Sequence, residues 1–496
     1  MNTRIYLTCF FASLMFFTVD VQAQQNQADK IKSFLQKYHE YGLFNGAALV
    51  AKDGEIILKE GFGEANMSWN IPNTPQTKFR ISSTTKQFTA AIILTLVEDG
   101  LLELDGKITN YLPDYPKDQG GQITIHQLLT HTSGIPSYTS PVFMSDQVRD
   151  PFEPDSLVAL FSDLELQFEP GTRWTYSNSG YVLLGKIIEA VTGKSYDQFL
   201  REQLLDPFEL NHTGYDHFAS VIQGKASGYI QTPSGYEHAP YLDTTVPYSA
   251  GMLYSTIEDL YKWDQLLYGQ GPFENPSTKS LLFDQHIPLP EGLPAQANLP
   301  PYYGYGWFTG PVPIADDTVQ VVEHGGNIFG FSTGFWRIPD DRNTIILLDN
   351  SSTDKIREIG KGVKLILYGR TPPDPKQQVS SVMYNLIAKN GFDAAKTHYQ
   401  EISESDSDRY DLSESQLNIL GYYYLNNDRI ETAIEVFKLN AEAFPESANV
   451  YDSLGEAYLE SERFELSKKS YQKVLKLNPN HSNAKSMIEI LNSKTD

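Results

Sequence analysis

Phe79-Arg-Ile-Ser-Ser-Thr-Thr-Lys-Gln-Phe-Thr-Ala90 runs directly into an apolar stretch that closes at Gly100. Apolar residues recur at helical spacing through Lys86–Gly100, which predicts a helix. Ser83 and Lys86 stand three residues apart at its entrance, a spacing that puts both side chains on one face. A lysine so placed can hold or withdraw the hydroxyl proton of a serine nucleophile. Toward the N terminus, Gly46-Ala-Ala-Leu-Val-Ala-Lys52 and Glu55-Ile-Ile-Leu-Lys59 read as strands joined at Asp53-Gly54, a favoured two-residue hairpin turn. Toward the C terminus, Val319–Val322, Phe331–Ile338 and Thr344–Leu348 read as strands and Lys355–Leu367 as a helix. The span between is mostly helical in pattern, with loops rich in Pro, Gly, Ser and Tyr. Strands that bracket a helical middle predict an α+β unit whose sheet is assembled from both of its ends.

The Ser-x-x-Lys spelling alone says little, because it occurs at Ser83, Ser352, Ser470 and Ser482. Ser352 follows a strand and opens a helix, so it reads as an N-cap; Ser470 and Ser482 read as an exposed polar helix face. Three further segments single out Ser83. Tyr176-Ser-Asn178 lies on a loop before the helical Tyr181–Thr192, His324-Gly-Gly-Asn327 ends an apolar strand, and Asp259–Leu267 follows Ser249-Ala-Gly-Met-Leu-Tyr-Ser255.

In that order and at that wide spacing, Ser83-Thr-Thr-Lys86, Tyr176-Ser-Asn178 and His324-Gly-Gly326 resemble the three motifs of the class C β-lactamase and penicillin-binding-protein family of serine hydrolases. Ile123-Thr-Ile-His-Gln-Leu-Leu-Thr-His-Thr-Ser-Gly-Ile-Pro136 and Ala250-Gly-Met-Leu-Tyr-Ser-Thr256 resemble its intervening segments, so the likeness spans about Ile31–Tyr368. It implies a β-lactamase/transpeptidase-like fold: an antiparallel sheet flanked by helices, with an added helical subdomain. It implies Ser83 as the acylated nucleophile, Lys86 beside it, and Tyr176 as base in acylation and acid to the leaving group. Asn178 would bind a substrate carbonyl and steady Lys86, and the Ser83 and Asn327 backbone N–H groups would form the oxyanion hole. The resemblance also places His324 with the catalytic residues, and Gly325, Gly326 and Asn327 where the family binds substrate.

Lowering a tyrosine pKa from about 10 to about 7 takes roughly 4 kcal/mol. One cation about 4 Å away supplies that at an effective dielectric of about 20. Lys86 is therefore expected nearly to suffice, before any cost of desolvating the phenolate. The third motif departs from the β-lactamase Lys-Thr-Gly. His324 replaces a permanent cation, a nearby phenolate could keep it charged, and Gly325 removes a hydroxyl, which argues against efficient β-lactam hydrolysis. The remaining expectation is an esterase or a hydrolase of D-amino-acid or cell-wall peptides, D-Ala-D-Ala-type carboxypeptidases included. The proposed chemistry needs no metal or cofactor.

Other motif matches read as structural. Gly330-Phe-Ser-Thr-Gly334 spells a hydrolase elbow, but a strand follows Ser332 where a helix is required. His212-Thr-Gly214 reads as a loop. His126 and His131, five apart with no carboxylate motif, do not make a metal site. Tyr302, Tyr303, Tyr305 and Trp307 read as strand packing, with a substrate-lining wall as the alternative.

Residues 1–23 read as a secretory signal: Arg4, the apolar run Ile5–Val19, and Val21-Gln-Ala23 before a cleavage point. At about 15 residues the run falls short of the roughly 20 that span a bilayer. The expectation is an exported bacterial protein, periplasmic or secreted, with no membrane span after signal removal. The single cysteine, Cys9, excludes a disulfide framework. A net charge of −23 argues against nucleic acid as a partner.

The hydrolase domain is expected over 24–370 and a proline-bearing linker over 371–378. Over 379–496, Leu420-Gly421, Tyr424, Ala433, Phe437 and Pro445 recur 34 residues later as Leu454-Gly455, Tyr458, Ser467, Tyr471 and Pro479. That period resembles the tetratricopeptide repeat, and with a degenerate hairpin ending near Gly391–Glu401 it predicts an all-α solenoid of about three units. Such repeats present a groove to a protein partner, while a small molecule or peptide is expected as substrate. The alternative function is a sensor that acylates without turnover, or a scaffold, signalling or docking through the repeats.

Overall fold

Along Gly46–Lys52 (β1), successive side chains enter two different cores: Ala47, Leu49 and Ala51 one, Ala48 and Val50 the other. This is the period-two signature of a strand covered on both faces. The computed structural model describes residues 25–143, 145–269 and 271–495, so the signal expected over 1–23 lies outside the described residues. β1 pairs with Glu55–Phe62 (β2) through the Asp53-Gly54 turn. The other sheet strands follow 220 residues and more later: Ile287–Pro288 (β3), Tyr302–Tyr303 (β4), Phe308–Ile314 (β5), Asp317–Ile328 (β6), Phe331–Ile338 (β7) and Asn343–Asp349 (β8). Their order across one antiparallel sheet is β3-β4-β5-β6-β7-β8-β1-β2.

The sheet is thus built from both ends of the first domain, as its sequence predicts. The seam between them is sealed by the buried Asp349 carboxylate. It accepts from the backbone N–H groups of Asn45 (2.8 Å), Ser351 (2.8 Å) and Thr353 (3.2 Å). Burial nevertheless pushes its pKa up to about 6.

Two strand readings change. β6 extends well past Val322, because its pairing with β7 continues through His324-Gly-Gly-Asn327 to Ile328 opposite Phe331. β5 carries Pro311 and Pro313 and was not legible as a strand. Ile314 and Asp317 close a two-residue hairpin, so alternation leaves both prolines at positions that make no ladder bond to β6. β4 pairs only with Phe308 and Thr309, so no neighbour on the other side needs the missing N–H groups either.

One face of the sheet is covered by the helix of residues 25–40 and by Ile356–Leu367, whose Ile31, Leu35, Tyr38, Ile359 and Val363 pack on Val50, Trp336 and Leu347. On the other face lie Thr85–Glu98 (α1), Asn178–Thr192 (α2) and Ile257–Tyr268 (α3). Every residue of α1 from Thr85 to Leu96 is buried, so it is a central helix with no solvent face. Phe88 on α1 stacks on Trp263 of α3 at 4.8 Å; truncating such a buried ring to alanine costs about 3–5 kcal/mol.

The chain divides into two compact units, one running to Ile230 and over His238–Pro373, the other comprising Gln231–Glu237 and the chain from Asp374 onward. The division falls after Pro373, and Gln231–Glu237 joins the second unit with no sequence signal for it. Among the described residues, the second unit holds three helical hairpins and a final helix: Val379–Asn390 with Phe392–Ser405, Glu414–Leu425 with Ile430–Ala443, Ala448–Glu460 with Phe464–Leu477, then Ser482–Thr495. The recurring glycines have a steric cause. A Cβ on Gly421 would fall 2.4 Å from the Phe437 ring, and one on Gly455 3.0 Å from Tyr471, so each glycine admits the aromatic of the paired helix.

Two serine readings are corrected. Ser352 is no N-cap, since it accepts from Gly330 N–H (2.8 Å) and the next helix begins at Ile356. Ser470 is buried and donates to the Leu466 carbonyl (3.1 Å).

Candidate active site

Ser82 holds a left-handed backbone (φ +51°), a strained position for a residue with a Cβ. The turn Ser82–Thr84 that follows delivers Ser83 to the mouth of α1 with its side chain half-buried. Lys86, one turn on, is fully buried because α1 is buried on every side. Its Nζ lies 3.2 Å from Ser83 Oγ, 2.8 Å from Asn178 Oδ1 and 2.7 Å from the Ala250 carbonyl. Burial lowers its pKa well below the usual amine range. A neutral amine has two N–H groups and one lone pair. The two carbonyl oxygens can take the donors, which leaves the lone pair for the Ser83 hydroxyl proton.

Asn178 is the first residue of α2, where the sequence placed a loop. Its amide also donates to Thr139 Oγ1 (3.2 Å), which fixes the flip that turns Oδ1 toward Lys86. Tyr176 precedes α2, and its hydroxyl is hydrogen-bonded to Ser83 while the Lys86 amine sits 5.0 Å from its ring centre. The expectation of an easily formed phenolate is overturned. Burial pushes Tyr176 above the usual phenol range, and the hydrogen bond with Ser83 only partly offsets it. The desolvation left out of the charge–charge arithmetic dominates, and the same burial favours the uncharged amine that would have supplied the attraction.

His324 is also corrected. It is buried, with Nδ1 2.6 Å from the Gly325 carbonyl and Nε2 3.2 Å from the Tyr303 hydroxyl. Burial first, and the Lys86 charge second, lower its pKa to about 3. It is a neutral side chain at physiological pH, so no phenolate keeps it charged and it is no anion-binding cation.

The third-motif backbone meets Ser83 by strand parity. Ile328 and Phe331 close a two-residue hairpin and so exchange hydrogen bonds. Alternation then directs the Gly326 and His324 backbone groups to β7 and turns those of Gly325 and Asn327 away from it. On that open side β5 has already ended, opposite Glu323. A Cβ on Gly326 would fall 2.6 Å from Ser83 N, so only glycine lets the strand approach this closely. The Ser83 and Asn327 N–H groups can therefore face one oxygen. Gly326 itself is buried, and the Cβ direction at Gly325 points to the Thr333 carbonyl (2.8 Å) and Arg357 (3.9 Å). A hydroxyl at 325 would thus not stand over Ser83.

The cleft beside Ser83 is walled by Tyr138, Phe143, Pro247 and Ile328, with Thr139, Asn178 and Asn327 as polar groups. Among the described residues, none lining it carries a charge. Phe143 meets Phe329 edge-on at 5.4 Å. The decoys behave as read: Ser332 lies within β7, and His212 lies in a turn. Tyr303, Tyr305 and Trp307 are buried packing residues. What sequence reasoning missed is the Ala250 carbonyl as a Lys86 partner, since a backbone oxygen leaves no residue-type signal.

The Beta-lactamase family model matches residues 28–364, and the Tetratricopeptide repeat model matches residues 448–481. Penicillin-binding protein 4* of Bacillus subtilis (strain 168) is 32% identical over 372 residues, which are 71% of this chain and 79% of that protein. Protein flp of Staphylococcus aureus (strain MW2) is 32% identical over 342 residues, 68% of this chain and 65% of that protein. Among solved structures, the octameric penicillin-binding protein homologue from Pyrococcus abyssi aligns with a TM-score of 0.60 at 27% identity, covering 73% of this chain and 81% of that one. The D-amino acid amidase from Ochrobactrum anthropi SV3, complexed with L-phenylalanine, aligns with a TM-score of 0.60 at 25% identity, covering 69% of this chain and 98% of that one. Fold, motif order and these likenesses agree: the chain belongs to the Beta-lactamase family and carries a tetratricopeptide repeat near its C terminus.

Proposed function

We propose that the first domain is an exported serine hydrolase that forms a covalent ester on Ser83 from neutral amides or esters with an apolar acyl side chain. The observation that carries this reading is the Lys86 amine, which is fully buried and has two carbonyl oxygens and the Ser83 hydroxyl as its partners. In this mechanism Ser83 Oγ attacks the acyl carbon and its proton passes to Lys86 Nζ. The Ser83 and Asn327 N–H groups receive the oxyanion. Tyr176, kept protonated by burial, gives its proton to the leaving nitrogen or oxygen, and its phenolate then takes the proton that Lys86 removed from Ser83, so both side chains regain their starting states. Water then repeats the attack on the ester carbon, with Lys86 as base and Ser83 as leaving group.

The substrate class follows from the walls. A free carboxylate beside the scissile bond would enter an uncharged cleft next to a neutral His324, and an unpaired charge there is costly. That disfavours carboxypeptidase chemistry and leaves esters and amides without a carboxylate beside the scissile bond; D-amino-acid amides, the substrate class in the name of one structural relative, lack it. Export rests on the sequence of residues 1–23; among the described residues no helix is long and apolar enough to cross a membrane.

The test is labelling by an acyl phosphonate followed by peptide mass spectrometry, with turnover measured on short-chain esters, D-amino-acid amides, D-dipeptides and nitrocefin. Modification of Ser83 is expected, with neutral amides or esters turned over at least about 10-fold faster than dipeptides with a free carboxylate. Modification elsewhere, or turnover surviving in Ser83→Ala, would defeat the reading.

A further inference from the structure

Behind Tyr176 lies a set of buried polar side chains that the mechanism above does not use. His131 is fully buried and has a left-handed backbone (φ +60°), an uncommon conformation for a residue with a Cβ. Its ring lies 4.3 Å from the Tyr176 ring and 4.8 Å from that of Tyr303. Hydrogen-bond chemistry fixes where each proton sits. The Ser177 N–H can only donate, so His131 Nδ1, 3.2 Å away, must carry a lone pair. The His131 proton is then on Nε2, which faces the Tyr303 hydroxyl at 3.2 Å. At the far end the Gly325 carbonyl can only accept, so His324 Nδ1 carries its proton and Nε2 is bare. The Tyr303 hydroxyl, having accepted from His131, has its one proton free for His324 Nε2 at 3.2 Å.

The remaining neighbours do not disturb this order. Tyr181 sends its own proton to the Leu129 carbonyl (3.0 Å) and offers none to Tyr303. Lys86 is committed to Ser83, Asn178 and Ala250.

We propose that His131 and Tyr303 are positioning residues. They form the middle of a one-way chain, Ser177 N–H to His131 to Tyr303 to His324 to the Gly325 carbonyl, that locks the second motif to the third. One end fixes the peptide between Tyr176 and Asn178. The other fixes the peptide that precedes Gly326, whose Cα abuts Ser83. The chain thereby ties the segment that carries Tyr176 and Asn178 to the strand end that carries Gly326 and Asn327, against which Ser83 packs. This role rests on the acyl-enzyme reading of Ser83. The chain also gives the third-motif histidine a task that a cation could not perform, because a protonated His324 has no lone pair to accept the Tyr303 proton.

The experiment reads the histidine tautomers of the full-length protein by long-range ¹H–¹⁵N correlation after ¹⁵N-histidine labelling, with signals assigned by single-histidine variants. The expected result at pH 7 is His131 protonated on Nε2 alone and His324 on Nδ1 alone. Tyr303→Phe keeps the ring and removes only the hydroxyl. It should shift the His324 Nε2 signal toward that of an unbonded nitrogen and slow Ser83 acylation by the phosphonate about 10-fold, with KM for a turned-over ester changed less than about 2-fold. His131→Asn, which keeps an acceptor for Ser177 N–H but loses the donor to Tyr303, should reproduce the slower acylation. An Nε2-protonated or cationic His324 at pH 7, or unchanged acylation in Tyr303→Phe, would overturn the chain. The expected tautomers in a protein whose Ser83 takes no probe would support the chain and overturn the acyl-enzyme reading instead.

Discussion

Ser83-Thr-Thr-Lys86 and Ser470-Tyr-Gln-Lys473 spell the same motif on two helices, and the two sites do opposite things. Ser470 lies within Phe464–Leu477, where a preceding helical turn offers the Leu466 carbonyl, and its hydroxyl is spent there. Lys473 is half-buried and lays its amine over the Tyr451 ring at 5.3 Å. Ser83 stands at the very start of its helix, so no earlier turn exists to capture its hydroxyl. Its lysine enters a helix buried on all sides and exchanges water for two carbonyl oxygens. Spacing makes the two side chains neighbours; the position in the helix and the burial of the amine decide whether the pair can react.

The largest expected contrast is between the two serines. Ser83→Ala should lower turnover by on the order of 10⁴-fold or more, and Ser470→Ala by less than about 2-fold, both read as kcat on the best ester or amide. Next come the lysines. Lys86→Arg replaces a titratable amine by a bulkier group that stays charged, and a loss of about 10³-fold in kcat/KM is expected, against none for Lys473→Arg. Equal losses in both would show that the motif, and not its burial, carries the chemistry.

The pH profile sharpens the same point. Lys86 is required neutral and its pKa lies below the ordinary lysine value. Activity is therefore present above that lowered pKa and falls about tenfold per unit as pH drops through it. An acid limb at the ordinary amine pKa would contradict this assignment. The smallest effect concerns stability: Ser470→Ala should cost the repeat unit about 1 kcal/mol for one lost buried hydrogen bond, seen as a lowered denaturant midpoint.

Legibility varied with the kind of information each residue carries. The β1–β2 hairpin was readable because alternation and Asp-Gly are local signals, and the 34-residue repeat because it recurs. β5 was not, since its prolines argue against a strand until the sheet shows that their missing N–H groups face no partner. The ends of β6 and α2 were misplaced for a similar reason: pairing with β7 and packing of Asn178 against Thr139 extend both elements past their local propensity. Among the candidate catalytic residues, Ser83, Lys86, Tyr176 and Asn178 were named from motifs and lie together. Their protonation was misjudged, since a charge–charge estimate needs a distance and a dielectric, and the sequence supplies neither. His131 and Tyr303 were read as structural because the tautomer logic that ties them to His324 exists only in three dimensions.

From the sequence alone came the catalytic residue types, the order of the three motifs, the repeat period and the α+β plan, all of which follow from local periodicity and side-chain chemistry. Tertiary structure alone decided which of four identical motifs is buried at a helix start, that the amine there is depressed and the phenol raised, and that the third-motif histidine is neutral. Those outcomes depend on desolvation and on backbone groups far apart in the chain, such as the Ala250 carbonyl against Lys86, 164 residues away. Such terms belong to the packed chain as a whole, and no stretch of residues carries them.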